Sequence, residues 1–121
     1  MATILVIEDE PAQRLGLKRS LENAGFTVLA AGDGASGIEL AKEHLPDLIL
    51  CDIDMPGLNG FETLQALKAD DRTKDLPFVF LTGSAEAMAG KLGRSLGAEE
   101  FIEKPFSFSK LLAVVTTKLQ Q

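Results

Sequence analysis

The chain has 121 residues, of which 45% are hydrophobic and 25% are charged, and its formal net charge is -6. This size and composition fit one soluble globular domain and exclude a disordered, fibrous or two-domain chain. The acidic balance argues against sequence-independent nucleic-acid binding, because that binding depends on clustered Lys and Arg. We therefore expect a single domain over residues 1–121 with no direct nucleic-acid partner.

The apolar segments also bear on the compartment and on the single cysteine. No apolar run approaches the ~18 residues that span a bilayer, and no basic leader precedes the first strand, so we expect a cytoplasmic protein without membrane contact. Cys51 lies in an apolar run with no histidine nearby in the sequence. This setting favours a buried, inert thiol over a nucleophile.

Short apolar runs alternate with segments of helical spacing along the whole chain. The predicted strands cover residues 4–7, 27–31, 48–51, 78–81 and 101–102. The predicted helices cover residues 11–24, 35–44, 61–69, 85–96 and 108–119. Pro11 and Gly25 suit the start and the end of the first helix. This alternation predicts right-handed βαβ units, hence a parallel sheet with helices on both faces.

Polar side chains follow four of the predicted strands. Glu8 and Asp9 come after the first strand, Asp52 after the third, Thr82 after the fourth and Lys104 after the fifth. Open parallel sheets bind ligands beyond the carboxyl ends of their strands, where the strand order reverses. We therefore expect these side chains to meet at one edge of the sheet.

The residue types at this edge suit phosphoryl transfer. Three carboxylates in one cleft repel each other, and a hard divalent cation compensates for this repulsion. Mg²⁺ fits best and Mn²⁺ is an alternative. With a cation present, Asp52 can attack phosphorus as a carboxylate nucleophile, Lys104 can bind a phosphoryl oxygen, and Thr82 can donate a hydrogen bond to it.

The motifs that carry these residues resemble those of the response-regulator receiver family from end to end. They are Glu8-Asp9, then LILCDIDMPG over residues 48–57, then FLTG over residues 80–83, then KPF over residues 104–106. The resemblance implies a flavodoxin-like α/β fold, a doubly wound five-stranded parallel sheet of order 2-1-3-4-5 with five helices. It also implies a phosphorylation-dependent signalling switch rather than an enzyme that acts on a separate product.

The resemblance assigns roles to individual positions. Asp52 corresponds to the phosphoacceptor, Glu8 and Asp9 to the acidic pair that holds Mg²⁺, and the backbone carbonyl of Asp54 to a further metal ligand. Lys104 corresponds to the phosphate-binding lysine. The switch residues implied are Thr82 and Phe101, and the peptide bond between Lys104 and Pro105 is the candidate cis bond.

The resemblance also implies the partners and the timing of the switch. The phosphodonor is a sensor histidine kinase or a phosphotransfer protein. The output is a downstream target or effector domain that binds the face formed by the fourth helix, fifth strand and fifth helix. Asp54 and Ser84 lie two places beyond Asp52 and Thr82, so we expect them to tune the lifetime of the phosphorylated form.

Several alternatives stand beside this interpretation. A haloacid-dehalogenase-like phosphatase also uses an Asp-x-Asp nucleophile, although that motif normally follows the first strand, and a docking module independent of phosphorylation would keep the fold alone. Glu8 and Asp9 could simply cap the following helix. The simplest interpretation of Arg14, with Lys18 and Arg19, is the solvated face of that helix.

Overall fold

The apolar runs of the sequence form strands in the computed structural model, which describes residues 2–83 and 100–120. The strands are β1 (Thr3–Ile7), β2 (Thr27–Ala31), β3 (Leu48–Asp52), β4 (Phe78–Thr82) and β5 (Glu100–Glu103). The helices within these ranges are α1 (Pro11–Asn23), α2 (Gly34–His44), α3 (Gly60–Lys68) and α4 (Phe108–Leu119). Each lies within one residue of its predicted ends. The helix predicted over residues 85–96 lies outside the described residues.

The strands form one parallel sheet in the order β2-β1-β3-β4-β5, which confirms the predicted order. β1 lies in the middle of the first three strands, and its last residue, Ile7, pairs with Ala31 of β2 and with Cys51 of β3. The chain runs from β1 outward to β2 and then crosses back past β1 to β3 on its other side. The switch point therefore lies between β1 and β3, where sheets of this type bind their ligands.

Alternate residues of each strand point to opposite faces of the sheet, so the core has two halves. One half packs against α2 and α3 and the other against α1 and α4. In the first half, Phe80 contacts Phe61 and Phe78 edge-on, with ring centroids 5.1 Å apart in each pair. Strand residues buried in the second half are Ile4, Val6, Val28, Leu48, Leu50, Val79, Leu81 and Ile102. Covering helices on both faces explain why the strands are apolar throughout.

The helix starts follow their sequence signals. Pro11 occupies the first turn of α1, and the Glu10 carboxylate accepts hydrogen bonds from the backbone N–H groups of Ala12 and Gln13, both at 3.1 Å. Glu10, rather than Glu8 or Asp9, is therefore the N-cap of α1. Within the described ranges, no helix is both long and apolar enough to cross a membrane.

Candidate functional site

Strand register brings the first two parts of the site together. Ile7 pairs with Cys51, so Glu8 and Asp52 are the next residues on neighbouring strands. Both follow a residue of the α2–α3 half of the core, and their side chains therefore alternate to the face covered by α1 and α4. The backbone N–H of Lys104 donates to the Thr82 carbonyl at 2.6 Å, which extends the β4–β5 pairing to this edge. The predicted convergence at the sheet edge is thus present.

Glu8, Asp9 and Asp52 form an acidic cluster. Each offers a carboxylate oxygen within 4.8 Å of those of the other two. Glu8 is 1% exposed and Asp52 7%, while Asp9 is half-buried. Buried like charges at this distance favour a compensating cation.

Lys104 contributes positive charge to the cluster. Its Nζ lies 2.8 Å from Glu8 Oε1 and 3.6 Å from Asp52 Oδ1. It also donates to Gln13 Oε1 at 2.9 Å. Among the side chains in the described ranges, Lys104 is the basic group that pairs with these carboxylates, so the three carboxylates, when ionised, exceed it by two negative charges. A hard divalent ion such as Mg²⁺ fits both this excess and the oxygen donors.

The surroundings of Asp52 alter its acidity. Burial raises the pKa of Asp52 from 3.8 to about 6, and the negative charge of Glu8 adds to the rise. The ammonium of Lys104 opposes the shift without cancelling it. A raised pKa means that the surroundings disfavour the ionised form of Asp52. A cation bound beside the carboxylate would stabilise that form.

Gly60 lets the start of α3 pack closely against the backbone of Asp52 and Ile53. A Cβ atom at this position would lie 2.6 Å from the Asp52 carbonyl oxygen and 2.8 Å from the Cα of Ile53. The Gly60 N–H donates to the Ile53 carbonyl at 2.8 Å. Asn59 and Glu62 form a capping box that starts α3 at this glycine. The loop after β3 is therefore held tightly against the strand that carries Asp52.

The remaining predicted site residues occupy different depths. Thr82 is fully buried at the end of β4, and Phe101 is half-buried on β5 opposite Phe80. The Lys104–Pro105 peptide bond is cis. Asp54 is exposed two residues beyond Asp52, and the metal-ligand role of its carbonyl stays a prediction. Ser84, the other predicted lifetime residue, lies outside the described residues.

Arg14 corrects the interpretation of the first helix as merely solvated. Its Nη1 donates to the carbonyl oxygens of Glu8, at 2.9 Å, and Asp9, at 3.4 Å. The guanidinium also lies over Gly32, where a Cβ atom would come within 3.0 Å of Nη1. Arg14 therefore fixes the loop that carries two of the three carboxylates. An arginine on a polar helix face gives no sequence signal for this contact.

Cys51 precedes the acidic residue of β3 but takes no part in the site. It is fully buried, and burial raises the pKa of its thiol well above the usual value. Its Sγ donates to the Asp52 carbonyl at 3.2 Å. The surroundings thus keep the thiol protonated, in agreement with an inert role.

Comparison with known proteins identifies relatives along the whole chain. Residues 4–116 match the response regulator receiver domain family. Protein PilH of Pseudomonas aeruginosa is 35% identical over 119 residues, which are 98% of each chain. The DNA-binding dual master transcriptional regulator RpaA of Synechocystis is 37% identical over 121 residues, all of this chain and 50% of RpaA. The chain thus spans nearly all of PilH and about half of RpaA.

Solved structures give the same result. The chemotaxis protein CheY4 of Vibrio cholerae superposes with a TM-score of 0.92 at 29% identity, covering 97% of this chain and 98% of CheY4. The non-phosphorylated HemR receiver domain from Leptospira biflexa gives a TM-score of 0.90 at 32% identity, covering 100% and 96% of the two chains. These matches leave the phosphatase and docking-module alternatives without support.

Proposed function

This chain belongs to the response-regulator receiver family, whose members act in phosphorylation-dependent signalling, and we propose that Asp52 is its phosphoacceptor. The observation that carries the proposal is the buried cluster of Glu8, Asp9 and Asp52 with Lys104 at the switch point of the sheet. An isolated aspartate at a strand end would have no such surroundings. Here Asp52 lies near the Lys104 ammonium and two other carboxylates, and its pKa is raised.

The chemistry follows from these side chains. An Asp52 carboxylate oxygen attacks phosphorus, a new O–P bond forms, and the bond from phosphorus to the leaving group of the donor breaks. With a pKa of about 6, most Asp52 is ionised at pH 7 and available for attack. Lys104 offsets the charge of the phosphoryl oxygens, and the hydroxyl of Thr82 donates a hydrogen bond to one of them. Glu8, Asp9 and Asp52 would hold Mg²⁺, which would supply further charge neutralisation at the phosphoryl group.

The family supports a phosphohistidine on a sensor kinase or phosphotransfer protein as donor. Phosphorylation shifts the switch toward a state in which Thr82 and Phe101 rearrange together and a downstream partner binds the face that includes β5 and α4. Loss of the phosphoryl group by hydrolysis in the same site resets the switch. The domain therefore catalyses its own modification and turns over no separate substrate.

Intact-mass measurement tests the acceptor. Incubation with Mg²⁺ and acetyl phosphate should add one phosphoryl group to the wild type and none to Asp52→Asn, because an amide is not a nucleophile toward phosphorus. Asp71→Asn is the matched control and should keep the adduct, since it removes a carboxylate that is 96% exposed and lies outside the site. An adduct of equal yield in wild type and Asp52→Asn refutes the assignment.

A further inference from the structure

Gln13 contacts Lys104 of the site, although it lies on the exposed face of a helix. It is an exposed residue in the first turn of α1, and its side-chain oxygen accepts a hydrogen bond from Lys104 Nζ at 2.9 Å. An ammonium group can only donate, so the Gln13 amide must present its oxygen here. The same ammonium donates to Glu8 Oε1 at 2.8 Å and stands 3.6 Å from Asp52 Oδ1.

Both ends of this hydrogen bond stand on fixed backbone. The Gln13 N–H donates to the capping carboxylate of Glu10 at 3.1 Å, which secures the first turn of α1. The Lys104 N–H donates to the Thr82 carbonyl at 2.6 Å, which secures the end of β5. The side chains of Gln13 and Lys104 then meet across an open groove of about 530 Å³ that also includes Leu17, Gly83, Pro105 and Phe106. A flexible lysine side chain is thus held from a helix that does not belong to its own strand.

We propose that Gln13 is a positioning residue for Lys104. Its side-chain oxygen holds the Lys104 ammonium beside Asp52 when a cation binds the carboxylates of the cluster. The inference rests on the proposed function. Glu8 is the stronger acceptor for Lys104, but it is also a member of the cluster that fits Mg²⁺, so a bound cation competes for its oxygens. Gln13 is neutral and lies outside that cluster, so its oxygen stays available to the ammonium.

Phosphorylation kinetics test the proposal. Gln13→Met keeps the length and the helix propensity of the side chain and removes the acceptor. Its second-order rate constant for phosphorylation by acetyl phosphate with Mg²⁺ should fall about three- to tenfold, the effect of one hydrogen bond to a charged group at a partly exposed site. Gln65→Met removes an exposed glutamine from α3, on the other face of the sheet, and should stay within about twofold of the wild type.

The Lys104 ammonium resonance in NMR spectra gives a second readout, independent of phosphoryl transfer. In the presence of Mg²⁺, the signal should be retained in the wild type and in Gln13→Glu, which keeps an acceptor oxygen. It should broaden through faster exchange with solvent in Gln13→Met. An unchanged rate in Gln13→Met, or a changed rate with an unchanged Lys104 signal, overturns the positioning role. A wild type that acetyl phosphate fails to label overturns the proposed function as well, and this distinguishes the two failures.

Discussion

Two aspartates of this chain, both close to lysine or arginine, have their acidity shifted in opposite directions. Asp52 lies in the acidic cluster at the sheet edge, and burial followed by the charge of Glu8 raises its pKa to about 6. Asp70 lies in the loop after α3, where hydrogen bonds from the Arg72 side chain and backbone lower its pKa to about 2. The Arg72 guanidinium makes two bonds to the Asp70 carboxylate, of 3.2 and 3.0 Å. The ionised form of aspartate is therefore disfavoured at Asp52 and stabilised at Asp70.

The difference lies in what surrounds each carboxylate rather than in the presence of a cation. Lys104 shares its donors between Glu8 and Gln13 and stays 3.6 Å from Asp52, beyond direct hydrogen-bond distance. Asp70 instead receives its hydrogen bonds at the surface, where both the backbone N–H and the guanidinium of Arg72 donate to its carboxylate. A carboxylate whose pKa is raised is typical of a functional site, because a bound ligand can stabilise its charge. A carboxylate whose pKa is lowered by its hydrogen bonds stabilises the fold instead.

The largest expected effect comes from removing the strained charge. Asp52→Asn should raise the free energy of unfolding of the metal-free protein by roughly 1 to 3 kcal/mol at pH 8, since a raised folded-state pKa means that ionisation opposes folding. The stability of the wild type relative to the variant is therefore greatest below pH 3.8 and is lost as the pH rises through about 6. Urea denaturation across this range, without divalent ions, measures the difference.

Asp54→Asn provides the control for this comparison. Asp54 is exposed, and its substitution should change the free energy of unfolding by less than about 0.5 kcal/mol at any pH in the range. If Asp52→Asn is less stable than the wild type at pH 8, the surroundings of Asp52 stabilise its charge, and the contrast with Asp70 does not hold.

A divalent cation should remove part of the strain. Mg²⁺ at tenfold its dissociation constant should raise the free energy of unfolding of the wild type by about 1.4 kcal/mol, the mass-action gain of one site. The gain should shrink below pH 6, where protons compete for Asp52. Thermal denaturation against Mg²⁺ at constant ionic strength measures it. Asp9→Asn should weaken the gain because it removes one carboxylate of the cluster, and an equal gain in this variant would place the ion elsewhere.

The sequence is informative about this site up to the ends of the strands. Apolar runs locate β1, β3 and β5, and the rule for open parallel sheets then brings Glu8, Asp52 and Lys104 to one edge. This inference works because it depends on backbone topology, which a pattern of hydrophobic residues largely determines. The strand order came instead from the resemblance to the receiver family, because apolar runs locate strands but do not specify which of them are neighbours.

Contacts that depend on the reach of long side chains were not predictable. Arg14 bonds to the carbonyls of Glu8 and Asp9, and Gln13 bonds to Lys104 across 91 positions of sequence. Both residues lie on the polar face of α1, where solvation is the usual expectation. The choice of Glu8 over Asp52 as the closer partner of Lys104 likewise depends on rotamers that no sequence pattern specifies.

The smallest expected change in the free energy of unfolding comes from substituting Asp70. Asp70→Asn should lower the free energy of unfolding at pH 7, opposite in sign to Asp52→Asn and smaller, because the Arg72 side chain is 62% exposed and solvent screens the pair. Since the folded-state pKa is depressed, the contribution of Asp70 is present above pH 3.8 and is lost as the pH falls toward about 2. Urea midpoints at low and high salt measure it, with Asp71→Asn as control, whose side chain is 96% exposed. A loss that survives high salt would show that Asp70 acts by hydrogen bonding to the loop backbone, as its 2.8 Å bond from the Arg72 N–H allows, and would make geometry rather than charge the basis of the contrast.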